Sequence, residues 1–95
     1  MVSIIIPVKD EAEYISQTLK NLTNALGQHI TYELIFIDDS SDKSYDILVS
    51  ESLQNSNIIV RKGKAKGGYG AAIKYGFSCA SGDYIIIFNS DLSKK

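Results

Sequence analysis

Strand-like and helix-like segments alternate along the chain, and this order predicts an open parallel α/β sheet with helices on both faces. Two further observations sharpen that reading. The apolar segments are near-continuous rather than alternating, as expected of strands covered on both sides. Right-handed crossovers then place the first two helices on one face. If the fourth strand pairs beside the first, the third helix falls on the other, giving the strand order 3-2-1-4.

Each element has its own signal. Val2 to Ile6 is a β-branched apolar run closed by Pro7, and reads as a buried strand. Asp10 and Glu13 have the spacing of a capping box, after which Ile15, Leu19, Leu22 and Leu26 recur at helical intervals up to a stop at Gly27. Tyr32 to Ile37 is the second strand and ends on Asp38-Asp39. Ser41 or Asp42 can cap the next helix, in which Tyr45, Leu48, Val49 and Ser52 share a face. Asn57 to Val60 forms a short third strand. A basic, glycine-rich stretch, RKGKAKGGYG, runs into the third helix, whose narrow face holds Ala72, Ile73, Gly76, Phe77 and Ala80. Asp83 to Phe88 is the fourth strand.

Ninety-five residues make one small domain, 1–95, with no internal repeat or linker. The hydrophobic fraction is 44% and the formal net charge is −1, so no global field favours nucleic acid. The six tyrosines are scattered and build no stacking platform for it either. A lone Cys79 rules out an internal disulfide and fits a reducing compartment. No apolar run approaches the roughly 20 residues of a membrane span, and the chain reads as a soluble, cytoplasmic domain.

Parallel topology gathers all four strand-to-helix connections at one rim of the sheet. There lie Pro7 to Glu11, Asp38-Asp39, Arg61 to Gly70, and Asn89 to Asp91. Ligands of open α/β sheets bind at this rim, where the strand order reverses. The glycine loop is neither a P-loop, since no Gly-Lys-Ser/Thr ending follows Gly63, nor a dinucleotide fingerprint, since it follows the third strand. Gly67, Gly68 and Gly70 still permit close backbone approach to a phosphate at a helix start, or simply serve a turn. Arg61, Lys62, Lys64 and Lys66 either offset a diphosphate's charge or form a solvated basic loop. Adjacent Asp38 and Asp39 point to opposite sides, which suits one to a ribose or base and the other to bracing loops, with turn chemistry alongside Ser40, Ser41 and Asp42 as the plainer account. Asp91 is a hard oxygen donor of the kind Mg²⁺ or Mn²⁺ prefers. His29 and Cys79 carry no assigned role.

Together VSIIIPVKDE, YELIFIDDSSDKS, GGYGAAIKYGFSCASGDYIIIF and NSDLS resemble the N-terminal half of family 2 glycosyltransferases, which have the Rossmann-like GT-A fold. GDYIIIFNSDLS looks most like the polyprenyl-phosphate (dolichol-phosphate) mannosyltransferase branch, and the likeness runs from about Val2 to Ser93. The resemblance implies a nucleotide site on Pro7, Val8, Glu11, Asp39, Lys66, Gly67 and Asn89. It also implies a Mg²⁺ or Mn²⁺ ion on Asp91 and Asn89, which fall on the family's Asp-x-Asp motif. Lys9 and Asp10 stand where the family commonly has Tyr and Asn, and Asn89 replaces its first Asp. An amide oxygen still ligates but brings no charge. The implied reaction is inverting transfer of a sugar from a GDP- or UDP-sugar to an acceptor such as a polyprenyl phosphate, which would place the chain at the cytoplasmic face of a membrane. No catalytic base is assigned, because family domains continue beyond this point, and half of a GT-A domain is expected here. The alternatives are a non-catalytic nucleotide- or metal-binding module and a folding unit that binds nothing. Ile85 to Phe88 would be an exposed apolar edge strand, from which a homo-oligomer is expected.

Overall fold

A computed structural model describes residues 1–27, 29–63 and 68–89. Its elements are β1 (Val2–Val8), a 3₁₀ turn (Ala12–Tyr14), α1 (Ile15–Leu26), β2 (Tyr32–Asp38), α2 (Ser44–Gln54), β3 (Ile58–Lys62), α3 (Gly68–Cys79) and β4 (Tyr84–Ile87). All pairings are parallel and the sheet order is β3-β2-β1-β4, with the fourth strand beside the first.

Alternation along the strands splits the core in two. Ile4, Ile6 and Val8 of β1 with Leu34 and Phe36 of β2 meet Ile15, Leu19 and Leu22 of α1 and Leu48 of α2. The opposite face presents Ile35 and Ile37 to Ala72 of α3, with Tyr75 and Cys79 packed alongside. Truncating a fully buried residue of the larger cluster, such as Leu48, costs about 2–5 kcal/mol. The small-residue face of α3 lets it lie close to the sheet: a Cβ on Gly76 would come 2.4 Å from Ile5 Cγ2. Phe77 does not join that face and is 48% exposed.

Several boundaries differ from the sequence reading. Pro7 does not close β1 but lies inside it, opposite Ile37. Val2 N–H and Val8 C=O bond toward β2, whereas Ile5 C=O bonds toward β4. Pro7 is in step with Ile5, so its missing N–H faces β4, where pairing has stopped at Ile87. No ladder bond to β2 is lost. The capping box also fails: the cap residue of α1 is Tyr14, whose side chain makes no capping bond, and the carboxylate of Asp10 is engaged elsewhere. Gly27 does end α1, at φ 69°, with its N–H on Thr23 C=O. The strand β4 is shorter than expected, and all four of its residues are exposed, Tyr84 by 72%.

At the amino end of the sheet the turn from α3 into β4 is fastened by a buried carboxylate. Glu33 accepts from Ser3 Oγ at 2.6 Å, Ser81 N at 2.8 Å and Ser81 Oγ at 3.1 Å, and Ser3 Oγ in turn accepts from Gly82 N. Burial alone would raise the Glu33 pKa, but these donors outweigh it and hold the group below its ordinary value.

Candidate functional site

The strand registers bring Val8, Asp38 and Lys62 level at the carboxyl rim. The chain segments leaving that rim enclose a hollow of about 250 Å³. Pro7, Val8, Lys9 and Glu11 form one wall, Asp39 the floor beside β2, and Gly68, Tyr69 and Ala72 of α3 the facing wall, with Asn89 beyond β4.

Two serine relays lock the first wall in place. The N–H of Asp10 donates to Ser40 Oγ at 2.8 Å, and that hydroxyl donates to Asp38 Oδ1 at 2.6 Å. One turn further, Glu11 N–H donates to Ser44 Oγ, which donates to Asp42 Oδ1, while Ala12 N–H reaches Asp42 Oδ2. Asp10 answers from the other side: its Oδ1 accepts from Ser41 N at 2.8 Å, Ser41 Oγ at 3.2 Å and Asp42 N at 3.3 Å. To do so Asp10 adopts φ 50°, a conformation that Asp and Asn tolerate better than most residues. Loops some 30 residues apart are thereby one unit, and Glu11 is 5% exposed at the edge of the hollow.

The two aspartates at the end of β2 divide their labour. Asp38 is 1% exposed and braces the loops through Ser40. Burial pushes its pKa above the ordinary value against the pull of the Ser40 hydroxyl and N–H; nearby Asp42 adds to the rise and Lys62 opposes it. Asp39 is half-buried, anchored by its N–H to Val8 C=O at 2.9 Å, and contributes to the hollow. Asp42 is held below its ordinary value by the Ser44 hydroxyl and N–H.

Of the expected site residues, Pro7, Val8, Glu11, Asp39 and Asn89 come together in this hollow. Lys66, Gly67 and Asp91 lie outside the described residues, as does Lys64. Arg61 and Lys62 do not line the hollow: Arg61 bonds to Val60 C=O, and Lys62 Nζ stands 5.0 Å from the centre of the Tyr45 ring. Lys9 and Gly68, which fell in the expected rim segments, also line it, while Tyr69 and Ala72 line it without having been singled out for a site from sequence. Tyr69 is 57% exposed, and its signal was its place in the first turn of a helix that begins at the rim.

Among the described residues no three His, Cys, Asp or Glu side chains gather as a metal site. Among them, too, no helix is long and apolar enough to cross a membrane.

Comparison with known proteins adds two findings. The chain is 35% identical over 92 residues to a dolichol-phosphate mannosyltransferase of Pyrococcus furiosus, a match covering 96% of this chain and 26% of that protein. The chain thus spans about a quarter of that relative's length. The profile of the family described as Glycosyl transferase family 2 matches residues 3–93, and the α/β sheet of order 3-2-1-4 is consistent with part of a GT-A domain. The chain belongs to glycosyl transferase family 2.

Proposed function

We propose that the rim hollow binds the nucleoside diphosphate of a GDP- or UDP-sugar, and that the chain is the donor-binding part of an enzyme passing the sugar, with inversion, to an acceptor such as a polyprenyl phosphate. The meeting of Glu11, Asp39 and Asn89 in one hollow carries this reading. Pro7 and Val8 offer an apolar wall to a base, and the exposed ring of Tyr69 offers a stacking surface. The half-buried Asp39 carboxylate accepts from a ribose hydroxyl or base N–H, a charge-assisted bond stronger than a neutral one. Lys66 and Gly67, which lead into α3, are placed in sequence to meet the phosphates.

Asp91 and the amide oxygen of Asn89 would hold Mg²⁺ or Mn²⁺ together with diphosphate oxygens, and the ion would offset charge on the departing diphosphate. A phosphate acceptor arrives already anionic, so a strong general base is less necessary, and we assign no catalytic residue. Such an acceptor would place the protein at the cytoplasmic face of a membrane.

Titration of the chain with GDP-mannose, UDP-glucose, GDP and UDP, with and without Mn²⁺, tests the reading. Binding strengthened by Mn²⁺ is expected, and Asp39→Ala should weaken it about tenfold or more through loss of a charged acceptor. Absence of binding at millimolar ligand would overturn it. Product formation on a polyprenyl phosphate separates an enzyme from a module that only binds. The β4 edge favours a second reading, in which Tyr84 to Ile87 pair with another copy of the chain. Sedimentation as a monomer would remove it.

A further inference from the structure

Gly63 follows β3 at the rim, and two facts fix its backbone. Its N–H donates to Asp38 C=O at 2.8 Å, and its φ lies outside the left-handed region, unlike Gly27 and Gly68. The backbone conformation would therefore accept any residue; space would not. A Cβ at this position would lie 2.4 Å from Asp39 Oδ1 and 2.7 Å from both Asp39 Cγ and Oδ2.

We propose that Gly63 is a positioning residue for the nucleotide, its bare Cα being the surface against which the Asp39 carboxylate rests. This rests on the reading that Asp39 meets the donor. The N–H of Gly63 is tied to the end of β2, so a methyl group there would displace the neighbour that turns most readily, the Asp39 side chain. The other tightly placed glycines differ in kind. A Cβ at Gly82 would meet the backbone of Met1 and Ser3, and one at Gly76 would meet Ile5 in the core. Substitution there strains the fold, whereas at Gly63 it moves one carboxylate.

The test is a double-mutant cycle in GDP and UDP binding, with unfolding followed in parallel, on the chain and its Gly63→Ala, Asp39→Ala and doubly substituted forms. Gly63→Ala should weaken binding about tenfold with an unchanged unfolding midpoint, and should change it less than about twofold once Asp39 is Ala. If Gly63→Ala fails to fold, the double variant should fold, because the obstructing carboxylate is gone. Equal binding by wild type and Gly63→Ala overturns this inference and leaves the proposed function standing. A loss that persists in the Asp39→Ala background, or a double variant that also fails to fold, overturns it as well. No binding by the unsubstituted chain would remove the proposed function and this inference together.

Discussion

Glu33 at the amino end of the sheet and Asp38 at the carboxyl end are both buried, at 7% and 1% exposure, yet their surroundings oppose one another. Ser3 and Ser81 supply Glu33 with two hydroxyl donors and one N–H, enough to lower its pKa despite burial. Among the described residues Asp38 receives donors from Ser40 alone, one of them at 3.3 Å, and burial raises its pKa. The first arrangement ties β1 to β2 through Ser3 and ties both strands to the turn at Ser81 and Gly82. The second is spent on holding a loop, and it leaves the next carboxylate, Asp39, beside a hollow. One end of the sheet is built for stability and the other for presentation.

The contrast is sharpest in substitutions. Glu33→Ala should cost about 2–3 kcal/mol in chemical denaturation, because buried donors lose a charged acceptor. Binding at the proposed nucleotide site should not change in the folded fraction. Gly82→Ala at the same end should cost about 1–3 kcal/mol, since its Cβ would sit 2.7 Å from Met1 O and 2.9 Å from Ser3 N, neither free to rotate away. At the other end Asp10→Ala should cost about 1 kcal/mol through its lost bonds to Ser41 and Asp42. Asp10→Asn, which keeps an acceptor oxygen and tolerates positive φ, should stay within about 0.5 kcal/mol of wild type. A Glu33→Ala variant as stable as wild type would break the comparison.

The smallest effects lie in pH dependence. Glu33 is held below its ordinary value of 4.5, so its stabilising contribution is full above pH 4.5 and is lost as pH falls through its lower folded value. Asp38 has the opposite sign. Its folded value lies above 3.8, so its favourable contribution is full below pH 3.8 and is lost as pH rises through that folded value. Stability curves should therefore lose part of their acid slope below pH 4.5 in Glu33→Gln. In Asp38→Asn they should lose a slope of contrary sign above pH 3.8.

Much of this architecture was legible in the chain. Strand order followed once the fourth strand was placed beside the first, and the convergence of Pro7, Glu11, Asp39 and Asn89 followed from parallel topology alone. The opposed directions of Asp38 and Asp39 followed from strand alternation. What escaped depended on partners distant in sequence. The Asp10–Glu13 spacing suggested a cap, but the N–H groups of Ser41 and Asp42 captured the Asp10 carboxylate first. Pro7 looked like a terminator because sequence does not reveal which neighbour its missing N–H would have faced. Phe77 fits the helical spacing of Ala72 and Gly76, yet it stays half exposed while those two are buried. The placing of Tyr69 on the wall required the phase of α3, which no residue count supplies.

The serine relays at Ser40 and Ser44 have a consequence for recognition itself. An incoming guest would find one side of its seat already assembled, with little chain entropy left to surrender there. Affinity on that side would then be set by what the guest exchanges with water, more than by any cost of ordering the two loops the serines join.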